Sequence, residues 1–197
     1  MKTDETINVC VFAASSERID NAYMTAAHLL GQLMAQRGWG CVNGAGSFGL
    51  MRAVTDGALD AGGRVTGVIP KFMVDNGWGY DRVPEQVITA DMHERKQYMQ
   101  EVTDAIVALP GGCGTLEELL EVITWRQLAI IDKPIVLLNI NGFFNPLVEM
   151  LEQCVKQGFM KRSHSALWTV ASTPLMAVEA IESELSCLTK PDIESKY

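Results

Sequence analysis

The chain has 197 residues, 48% of them hydrophobic and 20% charged, which suits one globular domain with a core large enough to fold unaided. A net charge of −8 leaves no basic stripe to exchange for counterions, which excludes nucleic acid as the main partner. Five cysteines without C-x-x-C spacing or histidines in ligand register exclude a disulfide framework and a zinc site, and no run reaches the roughly 18 apolar residues of a membrane span, so a soluble cytoplasmic protein is expected.

Ile7 to Ala13 predicts a first strand, ending in Ser15 and Ser16, and a helical pattern from Ile19 to Arg37 is closed by Gly38. Cys41-Val42-Asn43 predicts a second strand, Phe48 to Ala61 a second helix, and Val65 to Ile69 a third strand stopped by Pro70. Residues 71–90 have no clear period and carry the turn signals Asn76-Gly77 and Val83-Pro84, so an irregular loop and candidate lid is expected. Helices follow at Asp91 to Thr103, Thr115 to Ile131, Asn145 to Gln157 and Pro174 to Leu188, with strands at Ala105 to Leu109, Pro134 to Leu138 and Leu167 to Ala171. Residues 1–188 read as one domain and the polar residues 189–197 as a frayed tail. Strands separated by helices, without hairpin signals, imply an α/β fold: a doubly wound parallel sheet with helices on both faces. Ligands of such sheets sit at the carboxyl ends of the strands.

Two glycine turns lie there. Gly44-Ala45-Gly46-Ser47-Phe48-Gly49 matches the dinucleotide string G-x-G-x-x-G, but it follows the second strand, and the next strand ends at Val68-Ile69-Pro70 where an acidic ribose ligand belongs. A single-phosphate role for Ser47 and its backbone neighbours is the better reading, beside a purely structural tight turn. Pro110-Gly111-Gly112-Cys113-Gly114-Thr115 opens the next candidate, because glycine lets backbone N–H groups approach phosphate oxygens at the positive end of a helix.

Asp91 and Glu94 form a capping-box pattern, and Arg95 and Lys96 then fall in the first helical turn, where the dipole disfavours cations. Either both are solvated surface charges or an anion holds them there. Thr115-Leu116-Glu117-Glu118 is also a capping-box pattern, so Glu118 is either a cap or a carboxylate aimed at a bound phosphosugar, where it would stabilise an oxocarbenium-like transition state. Trp125, Leu128 and Ile131 read as core or subunit contacts.

Gly44 to Met51, Asp91-Met92-His93-Glu94-Arg95-Lys96 and Leu109-Pro110-Gly111-Gly112-Cys113-Gly114-Thr115-Leu116-Glu117-Glu118, with Thr124-Trp125-Arg126-Gln127-Leu128 and Asp132-Lys133-Pro134, resemble the LOG (LONELY GUY) family in order and spacing over Val9 to Val170. That family comprises cytokinin riboside 5′-monophosphate phosphoribohydrolases, long mislabelled as lysine decarboxylases. The resemblance implies a Rossmann-like homodimer that cleaves the N-glycosidic bond of an adenine-type nucleoside monophosphate to free base and ribose 5-phosphate, with no metal or redox cofactor. It makes Arg95 and Glu118 the catalytic pair. It makes Gly46, Ser47, Met92, Lys96, Gly111, Gly112, Gly114, Thr115 and Thr124 substrate contacts. The alternative is a non-catalytic carrier of a nucleotide or phosphorylated cofactor. The chain departs from the family's usual G-G-G-S at Gly44-Ala45-Gly46-Ser47 and from its C-G-S-S at Ala13-Ala14-Ser15-Ser16. The aromatic stretch from Phe72 to Tyr80 replaces an acidic base-contacting segment.

Overall fold

The computed structural model describes residues 6–188, so the expected tail at 189–197 lies outside the described residues. Seven strands form one sheet in the order β4-β3-β2-β1-β5-β6-β7, every neighbouring pair parallel. The strands are β1 (Asn8–Phe12), β2 (Gly40–Asn43), β3 (Arg64–Pro70), β4 (Glu85–Thr89), β5 (Ala105–Ala108), β6 (Ile135–Leu138) and β7 (Thr169–Ala171). The α-helices are α1 (Asn21–Gln36), α2 (Gly49–Asp60), α3 (Lys71–Asp75), α4 (Met92–Glu101), α5 (Cys113–Gln127), α6 (Asn145–Lys156) and α7 (Pro174–Leu188).

Strand pleating divides the core in two. Val9 and Val11 point towards Leu30 and Met34 of α1, Leu50 and Val54 of α2, and Ile181 of α7. Cys10 and Phe12 point the other way, towards Met99 of α4, Leu119 and Ile123 of α5, and Leu151 of α6. With both faces covered, β2, β5 and β6 are buried at every position, which is why β5 and β6 read as unbroken apolar runs in the sequence. The expected doubly wound parallel α/β sheet is therefore observed. Strand order reverses between β1 and β5, and the crevice above their carboxyl ends is where such a sheet binds ligands.

Residues 71–90 are not an irregular loop. Lys71–Asp75 is a short helix, and Glu85–Thr89 is an edge strand pairing Thr66 with Glu85 through to Pro70 with Thr89. The strand is mostly exposed, begins with the polar Glu85 and Gln86 and so lacks an apolar signature. Its pairing with β3, a long-range fact, makes it a strand. The intervening loop is tied down, since Tyr80 N donates to Ala45 O at 2.9 Å and Ser47 N to Trp78 O at 3.1 Å. Among the described residues no helix is long and apolar enough to cross a membrane.

Candidate active site

A cleft of about 360 Å³ opens over the switch point, lined by Phe12 to Ser16 after β1, Gly44 after β2, Met92, Arg95 and Met99 of α4, and Gly112, Gly114, Thr115 and Glu118 at the start of α5. A second chamber of about 330 Å³, lined by Gly46, Ser47, Phe48, Met51, Ile69, Met73 and Trp78, shares Ser15, Gly44, Met51, Met73 and Arg95 with it. The two adjoin along these shared residues and together form a groove that Arg95 lines in both parts.

Helix α4 starts where the sequence places it, with the Asp91 carboxylate accepting from His93 N at 2.8 Å and Glu94 N at 2.9 Å. Glu94 accepts instead from Ala90 N, one residue before the cap, so the capping box is displaced. Arg95 and Lys96 are buried despite their charge, and both face α5. Lys96 Nζ bonds Glu117 and, at 3.1 Å, Glu121, so its first-turn position is balanced by carboxylates of the neighbouring helix. Lys96 does not line the cleft.

Arg95 has no such satisfaction. Its Nε is buried without a hydrogen-bond partner, Nη1 has only Met92 Sδ at 3.6 Å, and Nη2 stands 3.8 Å from Glu118 Oε1, beyond hydrogen-bond range. A guanidinium has five donors, and one this poorly engaged in a buried site calls for an anionic ligand. The guanidinium lies against Gly44, where an added Cβ would sit 2.0 Å from Nη2. Gly44 therefore makes room for Arg95.

Glu118 is 8% exposed. Burial pushes its carboxyl above the ordinary glutamate value, and the nearby Arg95 guanidinium opposes part of that rise. The capping account fails on geometry, because α5 begins at Cys113 with Gly112 as its N-cap and no side-chain cap bond. Glu118 is thus in the second turn, facing Arg95 across the cleft.

The two glycine turns differ in what their backbone offers. At the first, Ala14 O takes Leu50 N at 2.9 Å and Met51 N at 3.3 Å, while Ser47 N bonds Trp78 O, so these amides are occupied and Ser47 lines the second chamber. At the second, no hydrogen bond among the described residues engages the amides of Gly112, Cys113, Gly114 or Thr115. This is a 15-residue helix with its N–H groups free beside the cleft. Thr115 folds over Gly111, where a Cβ would lie 2.1 Å from its Oγ1, whereas a Cβ on Gly112 or Gly114 would meet no protein atom within 4 Å. Packing does not explain those two glycines, and a ligand approaching the backbone does. Gly114→Ala is expected to leave the melting temperature unchanged or raise it, since alanine is the better helix former. The same change should lower kcat/KM at least about tenfold, as read by thermal melting and a hydrolysis assay.

Thr124 lies outside the cleft. Its Oγ1 donates to Leu120 O at 2.8 Å, and it lines a shallow outer groove of α5 with Cys113, Leu116, Leu120 and Trp125. Ser15, Ser16, Gly44, Met51 and Met73 line the cleft without having been selected as site residues. Position was their available signal, since all but Met73 lie on or just beyond segments that follow β1 and β2 at the sheet's carboxyl end.

A parallel sheet with its cleft at the switch point and a free helix N-terminus beside it defines a Rossmann-like α/β protein. A family model described as "possible lysine decarboxylase" matches residues 51–181. The cytokinin riboside 5′-monophosphate phosphoribohydrolase LOG3 of Arabidopsis thaliana is 40% identical over 187 residues, 95% of this chain and 87% of that protein. LOG4 of the same plant is 42% identical over 179 residues, 91% and 83% of the two chains. The chain belongs to this family, the LOG family. Among solved structures, the molybdenum cofactor carrier protein of Chlamydomonas reinhardtii superposes with a TM-score of 0.73 over 92% of this chain and 99% of its own, at 22% identity, which shows a shared fold.

Proposed function

We propose that the protein hydrolyses the N-glycosidic bond of adenine-type nucleoside 5′-monophosphates, releasing free base and ribose 5-phosphate. The observation that carries this reading is the buried, under-bonded Arg95 facing a desolvated Glu118 beside the free N-terminus of α5. The amides of Gly112, Gly114 and Thr115 take the 5′-phosphate, and Arg95 orients the phosphoribosyl group. Glu118, ionised, stabilises the ribosyl cation that develops as the C1′–N9 bond breaks and orients the water that attacks C1′. Membership in a family whose relatives carry that activity in their names supports the assignment.

Chromatography of AMP and N6-substituted AMPs incubated with purified protein should show free base and ribose 5-phosphate in equal amounts. Tight nucleotide binding without turnover would support the carrier reading instead.

A homodimer is part of the same proposal, and the exposed apolar side chains on the outer face of α5 and the turn after it, Leu120, Leu128 and Ile130 at 40%, 61% and 63% exposure, support an interface there. Thr124 lies on that face, so its substrate contact would be made to the second copy. Sedimentation should give twice the 21.6 kDa chain mass. The reaction is assigned to the cytoplasm, consistent with five free cysteines, and cell fractionation tests this.

A further inference from the structure

The groove has a phosphate end at α5 and a reacting centre at Arg95 and Glu118, which leaves the second chamber to the base. Its lining is apolar apart from Ser15, Ser47 and Arg95. At about 330 Å³ it has room for roughly ten waters at ~30 Å³ each, more than the ring system of a bare adenine displaces. Two aromatic side chains border it, Phe48 at 47% and Trp78 at 49% exposure. Among the described residues the Trp78 ring has no aromatic or cationic partner. A large apolar ring left half in water beside a cavity lacks the usual reason for its placement.

Trp78 is also held in place. Its carbonyl takes Ser47 N, Gly79 bridges Gly46, and Tyr80 N bonds Ala45 O, so the segment is stitched to the first glycine turn. Outside the chamber, Asp56 of α2 accepts from the Tyr80 hydroxyl at 2.7 Å, is bridged by Arg82, and pairs with Arg52 Nε at 3.4 Å. The Arg52 guanidinium lies 5.4 Å above the Tyr80 ring, and Arg82 also bonds Asp60 at 2.9 Å. Three polar side chains of α2, Arg52, Asp56 and Asp60, thus hold Tyr80 and Arg82, which follow Trp78.

We propose that Trp78 is a specificity-determining residue, packing against an apolar substituent on the exocyclic amine of the base, and that Asp56 is a positioning residue that holds it there. The inference rests on the nucleotide reading above. It differs from general substrate binding in predicting discrimination between two nucleotides that share phosphate, ribose and purine.

The test compares AMP with N6-isopentenyl-AMP as substrates of the parent, Trp78→Ala, Trp78→Phe and Asp56→Asn proteins. Dissociation constants for both nucleotides are measured by calorimetry in a Glu118→Gln background. The parent should prefer the substituted nucleotide. In Trp78→Ala that preference, as a ratio of kcat/KM values, should fall about tenfold. Trp78→Phe should restore most of it, and Asp56→Asn should lower it in the same direction. Equal losses on both nucleotides in Trp78→Ala, or a parent that prefers AMP, would overturn the proposal. A shift in Trp78→Ala with none in Asp56→Asn would overturn the positioning role alone. If the parent turns over neither nucleotide, the hydrolase reading fails, and the ratio of dissociation constants decides: a tenfold fall supports the role of Trp78 and an unchanged ratio refutes it.

Discussion

Glu118→Gln is expected to lower kcat about 10²–10³-fold, about 2.7–4 kcal/mol of transition-state stabilisation, while the folded protein at neutral pH becomes no less stable than the parent. The two halves of this expectation have one cause. Burial raises the Glu118 carboxyl above its ordinary value of 4.5, with Arg95 opposing. A carboxyl whose folded pKa exceeds its unfolded value binds protons more readily in the native state, so stability declines as pH rises from the unfolded value through the folded one. Below both values the group is neutral in each state and costs nothing. Above both, the parent carries a buried charge that Gln lacks, so the melting-temperature difference should grow in the variant's favour from acid to neutral pH. The parent's kcat/KM should rise with pH through a value above 4.5, and the variant should lose that limb. Arg95→Ala should abolish activity comparably, since Nε has no hydrogen-bond partner and Nη2 has only the 3.8 Å ion pair with Glu118. A Gln variant with near-parental turnover would show that the carboxylate does no chemistry.

The sheet was legible because strands covered on both faces must be continuously apolar, and Ile135-Val136-Leu137-Leu138 allows little else. Strand β4 was not, because an exposed edge strand that begins with Glu85 and Gln86 owes its existence to pairing with β3, from Thr66 with Glu85 to Pro70 with Thr89, and not to its own pattern. At the site, the oddity of Arg95 and Lys96 in a first helical turn was readable, and both proved to be buried against α5. Which of them remained available was not readable, since that depends on Glu117 and Glu121 reaching Lys96 and leaving Arg95 alone. The capping-box pattern at Thr115 left Glu118 open between cap and cleft for a similar reason. Helix α5 begins at Cys113 with Gly112 as its N-cap, two residues before Thr115, which puts Glu118 in the second turn and not at the cap. Ser47 lines the second chamber, but its amide is taken by the carbonyl of Trp78, a residue whose return to the turn no local pattern announces.

Gly57→Ala is expected to destabilise the fold by about 2–3 kcal/mol, a fall of about 5–10 °C in melting temperature. Helices α1 and α2 approach each other through reciprocal notches. A Cβ on Gly57 would lie 1.9 Å from His28 O, and one on Gly31 would lie 2.2 Å from Val54 O and 2.6 Å from Ala58 N. The obstructing atoms are helix backbone, which cannot turn aside as a side chain can. The helices would have to separate, opening the layer in which Leu30, Met34, Leu50 and Val54 are fully buried. Alanine's better helix propensity returns at most about 1 kcal/mol of this. Because α2 begins at Gly49, where a Cβ would strike the Ala14–Ser16 backbone, its displacement would also move Met51 and disturb the turn carrying Ser47, so activity should fall with stability. Gly114→Ala is the counterpart: the same added methyl, placed in open space, should leave stability intact and remove function. Equal melting temperatures for Gly57→Ala and the parent would show that the α1–α2 distance is not set by these glycines.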